Sequence, residues 1–353
     1  MTNGTKGTDR SLRPVVGWLW TGVAMIMVQV LLGGITRLTG SGLSITEWQP
    51  ILGALPPMSE ADWQSAFEKY RQIGQYRYIN FDFNLSDFKF IYFWEWFHRL
   101  WARLIGLVFL IPFCWFLWRG MLRREWVIPL TVLFGLGILQ GAIGWIMVQS
   151  GLNEDDVRVS HIRLAVHFMA AMGLLAYTFW FALRLSLPTV AYVRSEGLRR
   201  LTLAVVAILC VQLVYGAFMA GLKAGAFAPT WPTINQQWWP SGMGGGQDGL
   251  LSSHNPLAVQ FIHRGLGYLV GLLVLIWYVR ARRAASTDLF RSYASLPVGL
   301  VMAQILLGIF SVLYSDQSRP LLWLGTAHQF TAMLLLLSLL CMLHLLSKRL
   351  ADH

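Results

Sequence analysis

The sequence has little charge and little cysteine, and each shortage excludes a class of protein. Only 13% of the 353 residues are charged, whereas 56% are apolar. This composition excludes a disordered chain and is unusually apolar for a soluble domain. The three cysteines (Cys114, Cys210 and Cys341) all fall within long apolar runs, so we expect no disulfide in a loop. No small-residue cleavage site follows the first apolar run, which we expect to be retained as a membrane span.

Apolar runs of about 20 residues, the length that crosses a bilayer, recur from one end of the sequence to the other. The pattern predicts an all-α integral membrane protein. The transmembrane helices that it predicts lie at 16–36, 91–117, 126–148, 161–183, 200–222, 258–279, 295–314 and 322–346.

The net charge of +11 could indicate a nucleic-acid partner, but the distribution of the charge argues against one. Arginine and lysine are concentrated near both termini and in the short segments around 119–124, 184–200 and 280–291. The longer segments between the other spans hold fewer cations for their length. This is the positive-inside pattern. It predicts a membrane protein with both termini in the cytoplasm and the longer loops outside.

The sequence is internally duplicated. The segments EWFHRLWARLIG (95–106) and QFIHRGLGYLVG (260–271) share a His-Arg pair and a closing glycine. We therefore predict two pseudo-symmetric four-helix bundles, residues 1–190 and 191–353. A Gln-x-x-x-Gly pattern also recurs in the odd-numbered spans, at Gln29/Gly33, Gln140/Gly144, Gln212/Gly216 and Gln304/Gly308. It has two interpretations: close helix packing with a glutamine hydrogen bond between helices, or room for a flat ligand.

Each even-numbered span carries one histidine at a similar depth, and these are His98, His167, His263 and His328. Ionisable residues inside a bilayer are costly and usually functional. Two matched histidines in each half favour paired ligation over isolated hydrogen-bonding groups. Two imidazoles on facing helices, without nearby cysteine or paired carboxylates, are typical of six-coordinate haem rather than structural zinc. The weaker candidates, at span ends or in loops, are His161, His254, His344 and His353.

Arginines lie beside these histidines. Arg99 and Arg264 directly follow His98 and His263, and Arg163 lies one turn before the histidine of the fourth span. The planar guanidinium suits carboxylates, so we predict that these arginines bind the haem propionates. The alternative is that they extend to the aqueous surface from a helix end.

One carboxylate distinguishes the two halves. Glu95 lies three residues before His98, on the same helix face, whereas the matching position in the second half is Gln260. The difference predicts chemistry in the first half and electron transfer in the second. The alternative is that Glu95 simply pairs with Arg99 at the helix mouth.

Two long segments between spans, 37–89 and 223–257, are rich in tryptophan, proline and glycine. Segments of this length are usually functional or disordered, and abundant aromatic residues argue against disorder. We predict that both cover the haem sites. The alternative is an aromatic belt at the membrane interface.

These motifs together resemble the haem A synthase family, over essentially the whole chain. The segment GGITRLTGSGLSITEWQPILGALPP (33–57) is similar to the family's first outer loop, and FKFIYFWEWFHRLWARLIG (88–106) to its Glu-x-x-His-Arg helix. The segments AVHFMAA, NPLAVQFIHRGLGY and GTAHQFTAM resemble its other histidine segments. The chain lacks the cysteine pair that one subtype has in the first outer loop. It therefore resembles the alphaproteobacterial and mitochondrial subtype.

The resemblance implies that the protein oxidises the ring D methyl group of haem O to a formyl group, giving haem A for cytochrome oxidase. The reaction would pass through hydroxylated intermediates and take its oxygen from water. The implied residues are His98, His167, Arg99 and Arg163 for the substrate haem O; His263, His328 and Arg264 for a permanent haem b; and Glu95 as the catalytic carboxylate. The four histidines would be axial ligands to the haem iron.

The implied partners are haem O synthase, the cytochrome oxidase assembly machinery, membrane lipid and an unidentified electron acceptor. A homo-oligomer is compatible with the sequence. Two other functions stay open at this point. A di-haem b-type cytochrome that only transfers electrons would explain the four histidines, but it does not require Glu95. A transporter would explain the duplicated halves, with the histidines as a proton relay.

Overall fold

The computed structural model describes residues 12–49, 52–188, 191–243 and 253–346. No β-strand occurs in these residues. Their helices, in chain order, are α1 (Arg13–Leu38), α2 (Glu60–Tyr70), α3 (Gly74–Tyr78), α4 (Leu85–Trp118), α5 (Arg124–Gln149), α6 (His161–Ser186), α7 (Glu196–Gly221), α8 (Pro256–Ala284), α9 (Asp288–Tyr293), α10 (Leu296–Leu313) and α11 (Ser318–Leu345).

Eight spans within the described residues are long and apolar enough to cross a bilayer: α1, α4 to α8, α10 together with α9, and α11. The predicted all-α multi-pass membrane fold is therefore confirmed. The termini predicted to be cytoplasmic lie largely outside the described residues, and so do Lys6, Arg10, Lys348, Arg349 and His353. The sidedness of the protein stays a prediction.

The helix α4 is much longer than the sequence pattern predicted. It has 34 residues and begins at Leu85, which gives a length of about 51 Å against a hydrocarbon core of about 30 Å. A capping box fixes this early start. The Asn84 side chain accepts the N–H of Asp87, and the Asp87 carboxylate accepts the N–H of Asn84. The first turns of α4 therefore extend beyond the apolar run from which the prediction was made.

Helices that are joined in the sequence pack as pairs: α1 with α4, α5 with α6, α7 with α8, and α10 with α11. The first four spans meet the last four where α6 contacts α7 and where α1 contacts α11. The division into two pseudo-symmetric bundles stays a prediction. The segments 39–84 and 222–255 follow α1 and α7 at the same end of the bundle, which we call the long-loop end.

The first long loop is a folded unit with its own aromatic core. Phe67 and Tyr70 of α2 pack against Phe88 in the projecting part of α4. The Tyr70 hydroxyl donates to Gln75 and accepts from Asn80, and burial raises the pKa of this phenol to about 12. The first long loop therefore packs against the projecting end of α4 as a folded unit. An aromatic belt at the membrane interface would not require such packing.

Candidate functional site

Each of the four predicted histidines lies against a glycine of the span before it. A Cβ atom on the glycine would meet the imidazole Cε1 at a distance below the usual range for such contacts. The distances are 3.1 Å for Gly33 and His98, 2.8 Å for Gly144 and His167, 3.3 Å for Gly216 and His263, and 3.0 Å for Gly308 and His328. Because glycine has no side chain, the imidazole can lie directly on the helix backbone. The glycines of the Gln-x-x-x-Gly pattern therefore make room for the histidine rings.

The glutamines of the same pattern also reach the histidines. The predicted hydrogen bond between helices is confirmed at three of the four positions, where the amide nitrogen lies close to a ring nitrogen. The distances are 3.2 Å from Gln29 to Nε2 of His98, 3.2 Å from Gln140 to Nδ1 of His167, and 3.1 Å from Gln304 to Nε2 of His328. The Oε1 atoms of Gln29, Gln140, Gln212 and Gln304 are buried and have no partner among the described residues. Each could accept a hydrogen bond from an imidazole N–H after an amide rotation.

His263 and His328 form a pair with the spacing that a single metal ion between them requires. Their ring centroids are 6.4 Å apart, with an angle of 70° between the rings. A metal–imidazole bond is about 2 Å long, so two imidazoles on opposite sides of one ion have centroids about 6 Å apart. The Nδ1 atoms of both rings are buried and unpaired in the described structure. In the first half, His98 and His167 are close enough to interact electrostatically.

Glu95 is buried one turn before His98, with 2% of its surface exposed. Its Oε2 accepts hydrogen bonds from the Ser44 hydroxyl at 2.7 Å and the Ile45 N–H at 2.9 Å. Its Oε1 accepts from Arg99 at 2.6 Å. The Glu95–Arg99 pair that the spacing allowed is therefore present. In addition, the carboxylate fastens the first long loop to α4.

Arg99 completes the attachment of this loop. It donates to the carbonyl oxygens of Ile45 and Glu47 at 3.0 and 3.2 Å. Its guanidinium also lies 5.7 Å from the centre of the Trp145 ring, which stacks on Trp48 of the loop. Arg99 is thus bound to the loop and neutralised by Glu95, so little of its charge is available to a haem propionate.

The second half has a neutral attachment at the corresponding position. Gln260 is fully buried and donates to the carbonyl oxygen of Ala228 at 2.9 Å. Arg264 donates to the carbonyl oxygens of Thr230 and Thr233 at 2.6 and 3.2 Å. Both long loops are therefore fixed beside a histidine helix, and that they cover the haem sites stays a prediction. In the second half the arginine has no carboxylate partner among the described residues.

Arg163 lies at the rim of the first site. Its side chain is exposed, and its Nη1 donates to the carbonyl oxygen of Ile146 in the last turn of α5 at 2.9 Å. A cation that caps the end of a helix is favourable without any ligand. The contacts of Arg163 therefore neither require nor exclude a propionate.

Sequence reasoning missed Ser44 and Ile45, the loop residues that bind Glu95. A signal for them was present, because ITEW (45–48) in the first loop and APTW (228–231) in the second each supply the groups that contact the histidine helix. Comparing the two loops, as well as the two histidine helices, would have identified these residues.

The family described as cytochrome oxidase assembly protein matches residues 16–340 of the chain. The chain belongs to this family. It is 41% identical to the haem A synthase of Paracoccus denitrificans over an alignment of 340 residues that covers 94% of this chain and 87% of that protein. It is 44% identical to the haem A synthase of Rhodospirillum centenum, covering 95% and 88% of the two chains. It is 39% identical to that of Flavobacterium psychrophilum, covering 95% and 99%. The resemblance seen in the motifs is confirmed.

Proposed function

We propose that this protein is a haem A synthase, which oxidises the ring D methyl group of haem O to the formyl group of haem A. The family and the names of its relatives support the reaction. Within the chain, one observation carries the proposal. The two histidine pairs have the same glycine support, but among the described residues a buried carboxylate lies beside the first pair and not beside the second. A cytochrome that only transfers electrons does not need a charged group there, since the neutral Gln260 holds the second loop.

In this proposal His263 and His328 hold haem b as a permanent cofactor. Their ring spacing and unpaired nitrogens fit an iron between them. Haem b, when bound there, supplies an iron that accepts and releases single electrons. The protein contributes a dry, mostly apolar surrounding and the amides of Gln212 and Gln304, whose free oxygens can accept imidazole N–H groups and so orient the ligands.

His98 and His167 hold haem O as the substrate. The glycines beside them, Gly33 and Gly144, let the imidazoles lie directly on the backbones of α1 and α5. Arg99 and Arg163 lie at the edge of this site. The first long loop, fastened over α4 by Glu95 and Arg99, separates the site from water.

Glu95 is the catalytic carboxylate in this proposal. Oxidation of the methyl group, with water as the source of oxygen, releases electrons and protons, and it develops positive charge on the carbon. A carboxylate whose orientation is fixed by Ser44, Ile45 and Arg99 can stabilise that charge without reorganisation. An ionised carboxylate has about four lone-pair positions, so Glu95 can still accept a proton from the reacting group. Electrons then pass to the second site and on to an acceptor outside this chain.

We further propose that the protein lies in the bacterial inner membrane, with its long-loop end and both haem sites toward the periplasm. It would receive haem O from haem O synthase and deliver haem A to the cytochrome oxidase assembly machinery. The charge distribution of the sequence supports this orientation.

The test is extraction and chromatography of haem from the purified protein, produced in cells that also make haem O. We expect haem b together with haem O, haem A or a hydroxylated intermediate. Haem b alone, with no conversion of added haem O, would favour an electron-transfer cytochrome. A well-folded protein that contains no haem would contradict the assignment of all four histidines.

A further inference from the structure

Three cations at the long-loop end have no part in the proposed chemistry. Arg37 is in the last turn of α1, and its Nη1 donates to the carbonyl oxygen of Ala220 in the last turn of α7, 3.1 Å away. Lys223 comes two residues after the end of α7, and it interacts electrostatically with both Arg37 and Arg158. We call Arg37, Arg158 and Lys223 the seam cations, because they lie where the first four spans meet the last four.

The seam cations have no counter-ion in the described parts of the chain, where none of them forms an ion pair with a carboxylate. Other cations at this end are paired, with Lys69 bound to Glu47 and Arg71 bound to Glu68. Desolvation by the surrounding protein and the charges of Arg158 and Arg37 lower the pKa of Lys223, although part of its side chain is exposed. Arg158 is also exposed and Arg37 is half-buried, so an anion can reach all three cations and would relieve the repulsion among them.

The arginines that the sequence suggested for the propionates are already engaged. Arg99 is neutralised by Glu95 and fixed to loop carbonyl oxygens. Arg264 and Arg163 donate to backbone carbonyl oxygens. Arg37, in contrast, gives one of its five N–H donors to Ala220 and has further donors left.

The seam cations are also close to both histidine sites along the helices. Arg37 lies four residues after Gly33, which contacts His98, and its partner Ala220 lies four residues after Gly216, which contacts His263. Four residues are about one helical turn. Arg37 therefore lies about one turn nearer the long-loop end than either glycine–histidine contact.

We propose that Arg37, Lys223 and Arg158 form a carboxylate-binding site, and that its ligands are the propionate groups of the bound haems. This inference rests on the proposed function, since it requires haem at the histidine pairs. A guanidinium binds a carboxylate through parallel hydrogen bonds, and charge-assisted bonds of this type are stronger than neutral ones. An ammonium group beside it adds a second positive charge. The propionates would complete a cluster that the chain itself leaves without an anion.

The test uses the full-length, haem-loaded protein and the variant Arg37→Gln, in which the amide can still donate to Ala220. Release of haem b to apomyoglobin is measured, together with the midpoint potential of the bound haem. Loss of a charge-assisted hydrogen bond should speed release about tenfold or more. It should also lower the potential, because a nearby cation favours the reduced iron. Arg71→Gln removes a cation from the same end, where Glu68 pairs with it, and should change neither quantity.

Haem b dimethyl ester, which lacks free carboxylates, identifies the ligand of the site. In the unmodified protein the ester should be released at least as fast as haem b is released from Arg37→Gln, because the ester loses its contacts with all three seam cations. In a variant that combines Arg37→Gln, Lys223→Gln and Arg158→Gln, esterification should have no further effect, since both changes remove the same interactions. Additive effects of the substitutions and of esterification on the rate of haem release would overturn the proposal. They would indicate that a phosphate or a lipid headgroup binds to the seam cations.

Two further outcomes keep this inference separate from the proposed function. Release of haem b at the original rate from both Arg37→Gln and Lys223→Gln would overturn the seam site while leaving the function intact. Absence of haem from the unmodified protein would overturn the function itself. If Arg37→Gln does not fold, Arg37→Lys is used instead. It keeps the positive charge, so the bound haem should have the midpoint potential of the unmodified protein. A purely structural role of Arg37 would not depend on its charge.

Discussion

The two helices α4 and α8 perform the same structural task with different chemistry. Each carries a histidine followed by an arginine, and each fastens a long loop one turn before that histidine. On α4 the attachment uses a buried carboxylate, and on α8 it uses the neutral Gln260. A neutral side chain is thus enough to hold a loop, whereas burying a charge is costly. The charge of Glu95 therefore agrees with the proposed catalytic role, in addition to its ion pair with Arg99.

The helices around the two sites are also enclosed to different degrees. In the most apolar stretches of α4 and α5, 6% and 11% of the residues are buried, against 28% in α8 and 17% in the span formed by α9 and α10. The first site thus has walls that face lipid, and α4 and α5 pack against each other only loosely. This difference agrees with a substrate that is exchanged through the bilayer at the first site and a cofactor that is retained at the second.

The largest expected effect comes from removing one histidine of each pair. His328→Ala should abolish the optical spectrum of haem b, since six-coordinate ligation requires both imidazoles. His167→Ala should keep that spectrum and abolish the conversion of haem O. The measurements are reduced-minus-oxidised spectra and chromatography of extracted haem. If His167→Ala loses haem b while His328→Ala retains it, the assignment of the two halves is reversed.

Glu95→Gln should lower the conversion of haem O by about 10²-fold or more, the usual contribution of general acid–base catalysis. Haem b content should not change. Ser44→Ala is the matched control for loop attachment, because it removes one hydrogen bond and keeps the charge. A hydrogen bond to a charged group contributes roughly 1.5–3 kcal/mol, so the loss in Ser44→Ala should be about 10- to 150-fold at most, below the upper range of about 10⁴-fold for loss of a general acid–base group. Equal losses in the two variants would mean that Glu95 acts only by holding the loop.

The sequence was sufficient to predict the spans, because each must be apolar over a bilayer thickness. It also predicted the histidine pairs, since they repeat within a duplicated chain. It did not predict the early start of α4, which depends on the Asn84–Asp87 capping box rather than on hydropathy. It also did not predict that Ser44 and Ile45 would bind Glu95, because these residues lie 51 and 50 positions from Glu95 and only a comparison of the two long loops points to them.

The Gln-x-x-x-Gly pattern shows the same limit of sequence reasoning. The sequence left two interpretations open, close helix packing or room for a ligand, and the structure shows close packing against a side chain of the neighbouring helix. Gly33 gives close approach, but what approaches is the His98 ring, with Gln29 beside it. A periodic pattern identifies the face of a helix. It does not identify which side chain of the neighbouring helix fills the space.

A smaller effect is expected for the glutamines beside the ligands. Gln304→Leu should weaken haem b binding roughly 10- to 100-fold, the usual loss when a hydrogen-bond partner of a metal ligand is removed. Gln29→Leu, on the substrate side, should leave haem b unchanged and weaken haem O binding to a similar degree. Spectral titration of each haem separates the two effects. Unchanged affinity in both variants would show that these amides only pack between helices.

The smallest effect tests the glycine contacts themselves. A Cβ at Gly144 would lie 2.8 Å from the His167 ring, whereas at Gly216 the distance to the His263 ring is 3.3 Å. Gly144→Ala should therefore displace His167 and cost about 1–3 kcal/mol, as overpacking usually does. Gly216→Ala requires only a slight shift, and alanine favours a helix over glycine by about 1 kcal/mol, so its net effect should be near zero. Thermal unfolding of the two purified variants measures the difference. Equal destabilisation would mean that rotation of the His167 imidazole relieves the tighter contact at Gly144. The two positions would then tolerate an added methyl group equally well.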